Sequence, residues 1–87
     1  MDIEEIFSSK LRMKILKIIF RLGEVNVSEI ARRLGVNYAT TKRHLEILRN
    51  EGIIQQKKFG RIQLYRINQN SSKAKAIQNL IDVWEQK

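Results

Sequence analysis

Along the chain, apolar residues first recur with helical period, then alternate, then return to helical period. In the first long stretch, Leu11, Ile15, Ile18 and Leu22 share one stripe. Met13, Leu16 and Phe20 form a second stripe, with Ile19 between the two. At about 100° per residue this predicts a helix over residues 9–22, capped by Ser8 or Ser9, with an apolar arc wider than half its circumference. So wide an arc predicts burial on two sides. A shorter segment before it carries Ile3, Ile6 and Phe7 at helical spacing. Next, Asn26 and Glu29 stand at capping-box spacing ahead of a single stripe of Val27, Ile30, Ala31 and Leu34. Gly35-Val36 forms a turn, and Asn37 caps a third helix over residues 38–50. The inward stripe of that helix is Thr41, Leu45 and Leu48. Its outward face carries Ala39, Lys42, Arg43, Glu46, Arg49 and Asn50.

From Ile53 the period changes. Residues 53–58 and 62–67 flank Phe59-Gly60-Arg61 and read as a two-stranded ribbon with a basic tip, with one slip in phase between Leu64 and Tyr65. After the polar break Asn68-Gln69-Asn70-Ser71-Ser72, helical period returns through Ala74, Ile77, Leu80 or Ile81, and Trp84. The predicted fold is mainly α with a small β-hairpin. Residues 1–70 form one domain, and residues 71–87 an added C-terminal helix.

Composition narrows the chemistry. With 87 residues there is room for one domain and none for a barrel or a doubly wound sheet. Hydrophobic content of 43% suffices for a packed core rather than a disordered tail. The absence of Cys removes disulfides, thiolate metal sites and thiol nucleophiles. The sole histidine, His44, lies beside the inward stripe and reads as a core residue. No nucleophile–base arrangement, phosphate loop, cofactor motif or metal cluster is evident, so neither an enzyme nor a metal site is expected. The acidic start lacks the pattern of a secretory signal, and the longest apolar cluster, Ile18 to Phe20, is far too short to span a membrane. The chain reads as cytoplasmic, with no membrane partner. Its Ile-rich, Cys-free, Lys- and Arg-rich composition points to a thermophilic or archaeal source.

The net charge of +8 implies a polyanionic partner, and it is unevenly placed. Residues 10–22 sum to +5 and residues 53–67 to +4, while the third helix with its flanks, residues 37–52, carries only +1. Lys10, Lys14, Lys17 and Arg21 share the polar side of the first long helix and read as a solvated face. Arg12 falls inside the apolar arc, where either an acidic partner or a nearby phosphate accounts for it.

The order helix, tight turn, helix, basic hairpin is that of a helix-turn-helix with a wing. An α-helix fits the major groove of B-DNA, where Arg and Lys donate to guanine. Tyr38, Ala39, Thr40, Lys42 and Arg43 are therefore the candidate readers, although Tyr38 also lies near Leu45 and reads equally as half core. Lys57, Lys58 and Arg61 are candidates for phosphate or minor-groove contact.

Residues 6–68 resemble winged helix-turn-helix regulators of the ArsR type, with the MarR and penicillinase-repressor types close behind. The resemblance is carried by Arg12 to Leu16, Val27 to Val36, Arg43 to Leu48, Glu51 to Ile54, Gly60-Arg61 and Tyr65 to Ile67. It implies a dimeric, DNA-binding transcriptional regulator with Tyr38 to Arg43 in the major groove. Metal-sensing members use Cys or clustered His and acidic ligands, and metal sensing is not carried over. An unpartnered C-terminal helix and the wide arc of the first helix predict a two-fold homodimer through Ile3, Ile6, Phe7, Ile77, Leu80 and Trp84. Two alternatives remain open: a sequence-independent architectural DNA-binding protein, and a winged-helix module that docks proteins or binds RNA.

Overall fold

The structure, a computed structural model, describes residues 2–86. Met1 and Lys87, the outer ends of the two predicted regions, lie outside the described residues. The elements are α1 (Ile3–Phe7), α2 (Lys10–Leu22), β1 (Glu24–Asn26), α3 (Val27–Leu34), α4 (Tyr38–Asn50), β2 (Ile54–Phe59), β3 (Ile62–Ile67) and α5 (Ser72–Trp84).

Helix starts fall where a short polar side chain satisfies an otherwise unpaired backbone N–H. Ser9 accepts from the Arg12 amide at 3.2 Å, and Asn26 from the Glu29 amide at 2.8 Å. Asn37 accepts from the Thr40 amide at 2.8 Å, and Ser71 from the Ala74 amide at 3.1 Å. The α3–α4 turn is closed by Gly35 at φ 67°, a left-handed conformation that favours glycine. The Val36 amide then donates to the Ala31 carbonyl at 3.1 Å and the Gly35 amide to the Arg32 carbonyl at 3.3 Å. This fixes the angle at which α4 leaves α3.

The ribbon is a three-stranded antiparallel sheet of order β1-β3-β2, not the expected pair of strands. β1 was invisible because three residues are too short to display a period, yet Val25 is buried opposite Tyr65. The β2–β3 register is continuous from Ile54↔Ile67 to Phe59↔Ile62, so no bulge underlies the slip in phase. Tyr65 and Ile67 face the core, whereas Leu64, half-buried opposite Asn26 of β1, and Ile62 lie on the other face. Gly60, at φ 58°, opens the two-residue turn between the strands.

Ile15, Leu16, Ile19, Ile30, Leu45, Leu48 and Tyr65 are fully buried and unite α2, α3, α4 and β3. Ile6 of α1 and Ala74 and Ile77 of α5 belong to the same core. The first half of α5 is therefore part of the main fold rather than an appendage awaiting a partner. Lys73–Glu51 and Lys17–Glu85 ion pairs, at 2.8 and 2.9 Å, tie its two ends to the α4 terminus and to α2. Among the described residues no helix is long and apolar enough to cross a membrane.

Candidate nucleic-acid interface

The first turn of α4 stands out from the body. Tyr38 is 52% exposed, Ala39 and Arg43 are exposed, and Thr40 is half-buried. Tyr38 therefore belongs to the surface, not to the core. The fold brings this turn beside the tip of the wing. Tyr38, Arg61, Ile62 and Gln63 line one notch of about 170 Å³ together with Ser28. Lys57, Lys58 and Arg61 are all exposed, and Lys57 lies 4.7 Å from the centre of the Phe59 ring.

Ion pairing separates these cations from their neighbours. Glu29 takes both Arg32 and Arg33, at 2.7 and 2.8 Å, and those hydrogen bonds hold its carboxyl below the usual range. Glu46 takes Arg49 at 2.9 Å. Among the described residues, no ion pair engages Arg43, Lys57, Lys58 or Arg61.

Lys42, expected among the base readers, faces the sheet. Its ammonium points away from the exposed edge of α4 toward the sheet, donating to Gln63 Oε1 and, at 3.0 Å, to the Tyr65 hydroxyl. The reason is positional: Lys42 and Glu46 sit one turn apart on the side of α4 that β2 and β3 cover. Arg12 is likewise corrected. It is buried, and its partners are neither an acid nor a solvent-exposed phosphate site. Its guanidinium donates to the Glu5 carbonyl, to the Ile6 carbonyl at 3.5 Å and to His44 Nδ1 at 3.2 Å. The wide arc of α2 is thus closed on one side by α1. His44 is the packed residue that was expected, 9% exposed.

The predicted self-association residues divide. Ile3, Ile6, Phe7, Ile77 and Leu80 line one apolar groove of about 350 Å³ between α1 and α5. Ile6 and Ile77, expected at a dimer interface, form its floor at 5% and 6% exposure and already serve this chain's own core. Ile3 and Leu80 present 65% and 45% of their surface. Trp84 stands outside the groove, beside Met13 and Ile81, and is 83% exposed. Sequence reasoning missed Glu46, Gln56, Gln63 and Tyr65 as a group. The one available signal was polar residues at inward positions of the ribbon.

A three-helix core, a tight turn before an exposed helix and a hairpin beside it define a winged helix-turn-helix domain. The chain belongs to the arsR family of bacterial regulatory proteins, which it matches over residues 9–56. The members of that family are regulators, not enzymes. It is 43% identical over 70 residues to the HTH-type transcriptional regulator B-115 of Sulfolobus spindle-shape virus 1, covering 80% of this chain and 58% of that protein. It is 31% identical over 71 residues to a cadmium resistance transcriptional regulatory protein CadC homolog of Staphylococcus aureus, covering 78% of this chain and 59% of that protein. The chain spans about three fifths of the length of the curated relatives it matches. A homodimeric winged helix-turn-helix DNA-binding domain from Mycobacterium bovis superposes with a TM-score of 0.77 at 26% identity, over 92% of this chain and 71% of that one. HlyU from Vibrio cholerae shares the fold, with a TM-score of 0.81 at 23% identity over 95% of this chain and 87% of that one.

Proposed function

We propose that this chain is a sequence-specific regulator that binds double-stranded DNA as a homodimer, with α4 in the major groove and the wing on the backbone or minor groove. The observation that carries the reading is the placement of unpaired cations. Arg43 and the wing residues Lys57, Lys58 and Arg61 surround the exposed start of α4, where among the described residues no ion pair engages them. Arg43 donates to guanine, Tyr38 and Thr40 hydrogen-bond base edges, and Ala39 packs on a thymine methyl. The wing cations hold phosphates and carry no sequence information themselves. Such a partner puts the work of the chain in the cytoplasm.

The dimer reading rests on Ile3, Phe7 and Leu80, which line a groove floored by Ile6 and Ile77, and on Trp84, exposed outside it at the end of α5. An exposed apolar surface of this kind marks an interaction site. The homodimeric state of the Mycobacterium bovis relative supports a second copy as the occupant. A two-fold dimer then presents its α4 helices to half-sites about 34 Å apart.

The test is fluorescence anisotropy with labelled duplexes at about 50 mM and about 200 mM salt, with stoichiometry read at saturation. Two chains per duplex and a steep salt dependence support the reading. Salt-insensitive binding, or none, overturns it.

A further inference from the structure

Beneath the wing lies a closed polar network that DNA contact alone does not require. The Tyr65 hydroxyl, on a fully buried ring, donates to Glu46 Oε2 at 3.0 Å. Its oxygen accepts from Lys42 Nζ at 3.0 Å and from Gln56 Nε2 at 3.2 Å. Gln63 Oε1 accepts from the same two donors, at 3.1 Å from Gln56. Glu46 is steadied from the far side by Arg49 at 2.9 Å. The hydroxyl thus uses its proton and both lone pairs, and the Gln63 carbonyl both of its lone pairs. Burial and the adjacent Glu46 carboxylate push the Tyr65 hydroxyl well above its ordinary pKa, so it remains a donor. Among the described residues no buried side-chain polar atom lacks a partner.

These side chains come from α4, β2 and β3 and from nowhere else. We infer that Lys42, Glu46, Gln56, Gln63 and Tyr65 are positioning residues, a strut that sets the wing at a fixed distance and angle from the reading end of α4. Lys42 is consequently not a base reader. Swinging its ammonium into a groove breaks two hydrogen bonds and strips from the Tyr65 hydroxyl the one cation that donates to it. A fixed wing means that phosphate contact and base readout are made in one register. Without the strut each is still made, but not together.

This inference rests on the DNA-binding reading and is tested beside it. Lys42→Met, Tyr65→Phe and Arg43→Ala are compared with the wild type by selection from random duplexes and by affinity for the selected and a scrambled duplex. Tyr65→Phe keeps the ring and the charge. Lys42→Met, at the half-exposed edge, covers the case in which the buried change disturbs folding. Each is expected to weaken the selected duplex about tenfold, the scale of one or two lost hydrogen bonds to a charged group, while enriching the wild-type sequence. Salt slope and scrambled-duplex affinity stay unchanged, and the double variant is no weaker than either single one. Arg43→Ala instead changes the enriched sequence. The strut is overturned if Lys42→Met shifts the preferred bases or lowers the salt slope, or if Tyr65→Phe binds as the wild type does. If the wild type enriches no sequence, it is the function that fails. Amide exchange in β2 and β3 then decides the strut: faster exchange in Tyr65→Phe upholds it, and unchanged exchange refutes it.

Discussion

The guanidinium of Arg12 donates to Nδ1 of His44 at 3.2 Å, joining α2 to the buried face of α4. Arg has no acceptor and keeps its charge, so His44 Nδ1 must be bare and the ring neutral, with its proton on Nε2. Burial, then the Arg12 and Arg43 charges, lower the His44 pKa below its ordinary 6.5. The same guanidinium holds the Glu5 and Ile6 carbonyls, which anchors α1. One buried cation therefore links the segment at the groove to the helix proposed to read DNA.

The pH dependence follows from that neutral ring. Below pH 6.5 the unfolded chain binds a proton at His44 that the folded chain resists. The stability contributed by the neutral ring is full above pH 6.5 and is lost as pH falls from there toward the depressed folded value. Urea midpoints between about pH 7.5 and about pH 5.5 should drop more steeply for the wild type than for His44→Gln, which keeps an acceptor without a titrating ring. Parallel slopes would show that His44 does not titrate against Arg12.

Arg43 and Lys58 should separate by role. Arg43→Ala is expected to cost about 1–3 kcal/mol on the preferred duplex and to relax the choice at its base. Lys58→Ala should weaken every duplex alike and reduce the salt slope by about one. Titrations on preferred and random duplexes at several salt concentrations check both. Identical behaviour of the two variants contradicts the division.

The groove predicts a change of assembly. Leu80→Glu with Trp84→Ser alters side chains that are 45% and 83% exposed, so the fold of the single chain should survive. Sedimentation should then find a 10.3 kDa particle, where the wild type sediments at about twice that mass. A wild type that is already monomeric removes the dimer from the account.

The turn between α3 and α4 can be weighed by itself. Nothing lies within 4 Å of a Cβ built on Gly35, so Gly35→Ala meets no clash and bears only the left-handed backbone at φ 67°. The cost should be about 1–2 kcal/mol in urea unfolding. A neutral substitution would mean that the turn relaxes.

Much of this was legible in the sequence because each helix announces itself locally. Ser9, Asn26 and Asn37 are caps in fact as in pattern, and Gly35 and Gly60 sit where the chain reverses. What escaped depends on partners distant in sequence. Glu24–Asn26 is a strand only because the β3 edge is there to pair with it. Arg12 finds backbone carbonyls, which leave no signature in side-chain identity. Lys42 looked like a reader because helical phase says which way a residue faces and not what covers that face. Ile77 looked unpartnered because nothing in its own helix reports how α5 returns over the core.

Selection of bound duplexes from a random pool decides whether the protein reads DNA as a dimer. The expected product is an inverted repeat whose half-sites are centred about 10 base pairs apart, one turn of the duplex. Enrichment of no sequence, or of a single unrepeated element, would contradict a dimer that reads DNA through Tyr38, Thr40 and Arg43.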